Sequence, residues 1–173
     1  MPDLIIEGPD GSGKSTMAEF LSSAIGLSYR PSSEGPPPNL FKLINRIEQQ
    51  IKAEEQILDR CSIVSELVYG QALRNKSLIE KGWLYHLPCP ILYCRPSLET
   101  LLSFKLRTKP HKELAHVKQV TKNLRTIVEL YDEIMEDIKE LDIVPVLTYN
   151  RDTTEMEEII PCVESILLTE KKP

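Results

Sequence analysis

The sequence predicts an α/β domain on a mainly parallel sheet. Short apolar strands alternate with longer amphipathic stretches. A glycine-rich turn joins the first predicted strand directly to the first predicted helix. The composition is that of an ordinary globular chain, with 41% hydrophobic and 27% charged residues in 173.

The elements follow in order. Leu4-Ile5-Ile6 is a short apolar strand, and residues 14–25 form a helix with Met17, Phe20, Leu21 and Ala24 on one face. Gly26 supplies its stop. Tyr29-Arg30 ends a second strand. Residues 31–38 hold four prolines in eight positions, which excludes regular structure and predicts a stiff loop over about 30–38. Helix resumes near Asn39, with Leu40, Leu43, Ile44, Ile47 and Ile51 in step. Residues 56–59 form a strand, 62–72 a helix, and 90–94 a third apolar strand. Ser97 reads as the N-cap of the next helix, with Thr100 three residues on. A basic segment at 105–112 precedes a long predicted helix, 112–141. The last strand is expected at 143–147 and the final helix at 154–168, ahead of a frayed tail.

The whole chain, 1–173, is expected to be one domain, large enough to bury about 70% of its unfolded surface. No apolar run approaches the ~20 residues needed to span a bilayer, and the N-terminus lacks the pattern of a secretory signal. The net charge of −5 disfavours stable binding to nucleic acid or to an anionic membrane. The four cysteines, Cys61, Cys89, Cys94 and Cys162, form no CxxC pair, and only three histidines accompany them. That excludes a zinc-site reading and predicts reduced, buried thiols in a cytoplasmic protein.

The chemistry begins at Gly8-Pro9-Asp10-Gly11-Ser12-Gly13-Lys14-Ser15, which fits G-x-x-x-x-G-K-[ST]. The glycines let successive N–H groups point into one hollow, and the following helix adds the positive end of its dipole. Gly8, Asp10, Gly11, Ser12, Gly13, Lys14, Ser15 and Thr16 are therefore expected to bind a nucleoside triphosphate. Lys14 would meet the β- and γ-phosphates, and Ser15 the Mg2+. Asp59 and Arg60 close a strand at the sheet edge where ligands bind in such folds. Asp59 is a second candidate for the Mg2+ shell, and Arg60 can clamp a phosphate in bidentate fashion. The cations Arg95, Lys105, Arg107, Lys109, His111 and Lys112 suit a closing lid over about 105–116, with Arg107 the favoured catalytic member. Tyr29 can stack on a base and Arg30 can reach a phosphate or carbonyl. Tyr69, Trp83 and Phe41 are further aromatic candidates.

Glu7-Gly8-Pro9-Asp10-Gly11-Ser12-Gly13-Lys14-Ser15-Thr16 resembles the phosphate loop of thymidylate kinases, commonly E-G-x-D-G-x-G-K-[ST]-T. Asp59-Arg60, followed by Ser65 and Gly70, is similar to that family's D-R-Y segment. The long helix bearing Tyr131 is similar too. The resemblance implies a doubly wound, P-loop NTPase-type parallel sheet flanked by helices in three α/β/α layers. It implies transfer of the γ-phosphoryl of ATP to a nucleoside monophosphate. Asp10 would face the acceptor's sugar hydroxyl or the Mg2+ shell, and Arg60 would hold the acceptor phosphate. Asn150 and Arg151 would lie by the adenine. Ser65 and Tyr69 join the acceptor side, and a homodimer is implied.

The departures are specific. No L-F-A-A-D-R-like string occurs between Lys42 and Glu55, the third D-R-Y position is Cys61, and Tyr69 sits one place off the usual spacing. They bear on thymine recognition, not on the fold or the reaction class. The expectation is an ATP- and Mg2+-dependent kinase acting on a (deoxy)nucleoside monophosphate, a pyrimidine such as dTMP or a modified dUMP. The alternative is a kinase of a hydroxyl acceptor, a deoxynucleoside or a hydroxymethyl-pyrimidine in DNA. Asp59-Arg60-Cys61-Ser62 is close to the acidic-Arg-Ser motif of deoxynucleoside kinases, and Asp59 or Asp10 would then be the base. A regulatory NTP-binding switch is a third reading, without a D-x-x-G motif to support it.

Overall fold

A computed structural model describes residues 1–31, 35–54, 56–103 and 114–170. Five strands form one parallel sheet in the order β2-β3-β1-β4-β5: β1 (Leu4–Glu7), β2 (Ser28–Arg30), β3 (Gln56–Asp59), β4 (Ile91–Cys94) and β5 (Val146–Tyr149). Chain order and strand order part company around β1. The carboxyl ends of β1, β3 and β4 therefore meet where such sheets bind ligands.

Both faces of the sheet are covered, so its strands are nearly continuous apolar runs. Leu4 and Ile6 of β1 pack with Met17 and Leu21 of α1 (Lys14–Ile25) and Ile159 and Val163 of α8 (Met156–Glu170). Ile5 points the other way. It joins Leu43 and Ile47 of α2 (Leu40–Ile51) and Ile127, Tyr131 and Ile134 of α7 (Leu124–Glu140). The expected three-layer α/β/α architecture is thus observed. It rests on the period-two alternation of one four-residue strand. Glu7 shares the side of Ile5 and so turns its carboxylate toward α7.

Several boundaries differ from the sequence reading. The helix expected at 62–72 is α3 (Ser62–Ser65), a π turn (Glu66–Gly70) and α4 (Gln71–Arg74) in succession. The wide turn buries Glu66, which accepts from Arg74 and from the Leu78 N–H at 2.7 Å, while Tyr69 faces Asp10. Such turns concentrate at functional sites, and apolar periodicity does not signal them. The helix expected at 112–141 is α6 (Leu114–Lys122) followed by α7, parted at Asn123. The Asn123 side-chain amide donates to Gln119 O at 2.9 Å, a local bond that competes with the helical ladder. The last strand begins three residues late, at Val146. Pro145 has no N–H for the ladder, and only its carbonyl pairs, accepting from Ile91 N. The final helix likewise starts two residues late, at Met156. A short 3₁₀ turn (Lys81–His86) and α5 (Leu98–Ser103) complete the order. Ser97 caps α5 as expected, accepting from Thr100 N at 3.1 Å.

Cys61, Cys89 and Cys94 are buried free thiols, whereas Cys162 is exposed on α8, against the expectation that all four are interior. Burial pushes the Cys61 and Cys94 thiols up to about 12, so neither is a thiolate near neutrality. Among the described residues no helix is long and apolar enough to cross a membrane.

Asn39 begins α2 by accepting from Lys42 N at 3.0 Å. Asn39→Ala is expected to lower unfolding free energy by about 1 kcal/mol. The check is a urea melt, read as a lower midpoint at unchanged slope.

Candidate active site

β1 ends at Glu7 and the chain turns through Gly8–Gly13 into α1. Gly8 has φ +145°, and a Cβ there would lie 2.4 Å from the Cys94 carbonyl oxygen. Only glycine lets the loop press against the tip of β4. Lys14 is buried and folds back over the loop, donating to Pro9 O at 2.7 Å and to Ser12 Oγ at 3.5 Å. Burial, reinforced by the Arg60 charge, lowers its pKa to about 8, with Asp10 and Asp59 opposing.

A second group meets at the end of β3. Ser15 Oγ donates to Asp59 Oδ2 at 2.9 Å, and Tyr29 Oη donates to the same oxygen at 3.0 Å. The predicted metal pair, Ser15 and Asp59, is thus brought together across 44 residues of chain. Its donors are all oxygen, one carboxylate and one hydroxyl at the first helical turn, which suits Mg2+ bound jointly with substrate phosphates. Among the described residues there is no cluster of three or more His, Cys, Asp or Glu. The Tyr29 hydroxyl is engaged with Asp59, and its ring packs, partly buried, against the cluster that includes Met17 and Leu21.

The third group surrounds Arg60, a non-glycine residue at φ +76°. Four bonds hold the turn. Arg60 N donates to Ile6 O at 3.0 Å, and Gln50 Nε2 donates to Arg60 O at 3.0 Å. Cys61 N donates to Glu7 Oε1 at 2.6 Å, and Ser62 N to Gln50 Oε1 at 2.8 Å. The side chain then projects toward the phosphate loop. It donates to Asp10 Oδ1 at 3.0 Å and to Tyr131 Oη at 3.2 Å, and lies 5.0 Å over the Tyr69 ring. Tyr69 Oη donates to Asp10 Oδ2 at 3.0 Å. Tyr131 Oη donates to Glu7 Oε2 at 3.0 Å, which closes a ring of polar contacts. Backbone strain held this firmly is characteristic of functional sites.

The remaining expected residues divide as follows. Gly11, Ser12 and Gly13 line the loop, and Thr16 sits exposed on the first turn of α1. Arg151 approaches the loop: a Cβ on Gly13 would lie 3.6 Å from its guanidinium. Asn150 shapes that corner, its carbonyl accepting from Thr153 N and Thr154 N. Ser65 Oγ is buried with no hydrogen-bond partner among the described residues. Arg95 pairs with Asp132 at 2.7 Å. Phe41 is exposed on α2, and Trp83 packs on the core beside His86. The Arg30 side chain, Arg107, and the cations Lys105, Lys109, His111 and Lys112 lie outside the described residues, as does all but the end of the expected lid.

Glu7, Gln50 and Tyr131 were not read from the sequence as members of this site. A glutamate ending an apolar strand was the available signal for Glu7. Tyr131 was marked only through the resemblance of its helix, its partners lying 71 and 124 positions away, and Gln50 gave no signal.

The parallel sheet, the loop and the helix behind it define the fold of P-loop kinases. Among solved structures the chain is similar to the YorR protein of Bacillus subtilis, determined in complex with phosphorylated GDP. That match has 21% identity, a TM-score of 0.73, and coverage of 98% of this chain and 97% of that one. It is also similar to deoxyadenosine kinase of M. mycoides with dCMP and dCDP bound, at 17% identity, TM-score 0.65 and coverage of 99% and 100%. Thymidylate kinase of Candida albicans matches at 17% identity, TM-score 0.59 and coverage of 97% and 91%. No family model and no curated protein matches the sequence.

Two outcomes follow from this geometry. At φ +76° a Cβ is strained, so Arg60→Gly is expected to be about 1 kcal/mol more stable than Arg60→Ala. Equal denaturation midpoints for the two variants would remove the strain argument. Lys14, with its pKa near 8, is partly neutral above that pH and must be charged to meet phosphate. ATP binding at pH 8.5 is therefore expected to take up a proton, and affinity to fall as pH rises through 8. The check is calorimetry in buffers of differing ionisation enthalpy, where a buffer-independent heat would contradict it.

Proposed function

We propose that the protein is an ATP-dependent kinase of a (deoxy)nucleoside monophosphate, with a pyrimidine acceptor. The observation that carries this is Arg60: a guanidinium held by a strained, four-bonded turn beside the phosphate loop. Its Nη1 and Nη2 each use one hydrogen toward Tyr131 and Asp10, leaving further donors for an acceptor phosphate. A hydroxyl acceptor needs no such cation, but needs a carboxylate base. Of the two candidate bases, Asp10 has both oxygens engaged by Arg60 and Tyr69, and Asp59 Oδ2 accepts from Ser15 and Tyr29.

The reaction is in-line transfer by positioning and charge neutralisation, with no covalent intermediate. Lys14 and the loop N–H groups hold the ATP phosphates. Ser15 and Asp59 would hold Mg2+, which supplies charge neutralisation at the β- and γ-oxygens when bound. Arg60 orients the acceptor phosphate, whose ionised oxygen attacks without a general base. Asp10 and Tyr69 fix the guanidinium, and Ser65 faces the acceptor with its unpartnered hydroxyl. Asn150 and Arg151 border the adenine, and Arg107 is the lid cation.

The test is ADP release with Mg-ATP across the nucleoside monophosphates, the matching nucleosides and a short DNA. Turnover on one pyrimidine monophosphate is the expected result. Turnover on a nucleoside or DNA, with none on monophosphates, would move the acceptor to a hydroxyl and make an aspartate the base. Lys14→Ala is expected to lower kcat by at least about 100-fold with an unchanged circular-dichroism spectrum. Arg60→Ala is expected to raise the acceptor KM roughly tenfold or more while leaving the ATP KM within about twofold. Equal changes in the two constants would detach Arg60 from the acceptor.

A further inference from the structure

The hydroxyl of Tyr29 has a partner that stacking on a base does not explain. Tyr29 lies on the edge strand β2, paired with Ile57, and its side chain reaches past that register to Asp59 at the end of β3. Asp59 Oδ2 accepts two hydroxyls at once, from Ser15 at 2.9 Å and Tyr29 at 3.0 Å. Asp59 is 9% exposed. A carboxylate so far from water depends on its donors for both charge balance and orientation. The two donors are unequal. Ser15 belongs to the phosphate loop and its oxygen is the one that would ligate the cation. Tyr29 comes from outside the loop, and its partly buried ring packs against the apolar cluster that includes Met17 and Leu21.

We propose that Tyr29 is a positioning residue that locks the Asp59 carboxylate for magnesium-dependent ATP binding. The proposal rests on the kinase reading and assigns Tyr29 to the nucleotide–metal side of the site. The Tyr29 hydroxyl holds Oδ2, so the carboxylate keeps its orientation whether or not Ser15 is drawn toward the cation. It also anchors the strand from which the proline-rich segment departs at Pro31.

The test is calorimetric binding of ATP with Mg2+ and with EDTA, for wild type, Tyr29→Phe and Tyr29→Leu. Tight binding of Mg-ATP by wild type, with the magnesium enhancement reduced roughly tenfold in both variants, is the expected result. Thermal melts establish that each variant is folded, and Tyr29→Phe keeps the ring packed. A full magnesium enhancement in Tyr29→Phe overturns the inference and leaves the kinase reading intact. So does a loss confined to Tyr29→Leu, since that assigns the role to the ring. A wild-type chain that binds ATP no better with magnesium than without it overturns the kinase reading and this inference together.

Discussion

The carboxylate of Glu7 is buried at the end of the central strand and receives three donors from three segments. They are the Gly8 N–H at 3.3 Å, the Cys61 N–H at 2.6 Å and the Tyr131 hydroxyl at 3.0 Å. Burial pulls this carboxyl's pKa upward, and the Arg60 charge, the Cys61 N–H, Lys14 and Tyr131 act against it. An unpaired carboxylate in this position would be expensive; one with three donors fixes the geometry around it. The start of the phosphate loop, the turn carrying Arg60 and the middle of α7 are thereby tied to a single point.

Two cations of opposite design stand on either side of that point. Lys14 has a lowered pKa and rests on the loop it serves, donating to Pro9 O, so its charge responds to what approaches. Arg60 is always charged, and its orientation is imposed by a backbone at φ +76° and by contacts on two of its nitrogens. Between them lies Asp10, from the loop, which grips Arg60 and is gripped by Tyr69. On the proposed reading Lys14 would face one phosphate-bearing partner and Arg60 the other. That is what a transfer between two phosphate-bearing molecules requires.

The limits of sequence reading show in particular residues. Gly8 to Ser15 could be read because the loop's function depends on local backbone geometry, and spacing encodes that geometry. Asp59 and Arg60 could be read because a strand end in an α/β chain has a predictable place. The π turn at Glu66–Gly70 could not, since it depends on burying Glu66 against Arg74 and on turning Tyr69 to Asp10. Tyr29 looked like a base platform because an aromatic beside a loop suggests stacking. Only the approach of β2 to β3 reveals its bond to Asp59. The late start of the last strand follows from Pro145, a local rule that the apolar run Ile143–Val144 obscured.

By itself, the sequence determined the α/β class, the position of the glycine-rich loop and the strand end beside it. Each of these is written in periodicity or in short spacing, where neighbouring residues settle the conformation between them. The tertiary structure alone decided the environment of the chemistry: the strained Arg60 turn, the buried Glu7 hub and the shared donors on Asp59. Those features join residues up to 124 positions apart, and the two donors on Asp59 come from 30 and 44 positions away. Such contacts exist only once the parallel sheet has brought β1, β2 and β3 side by side and α7 across their ends.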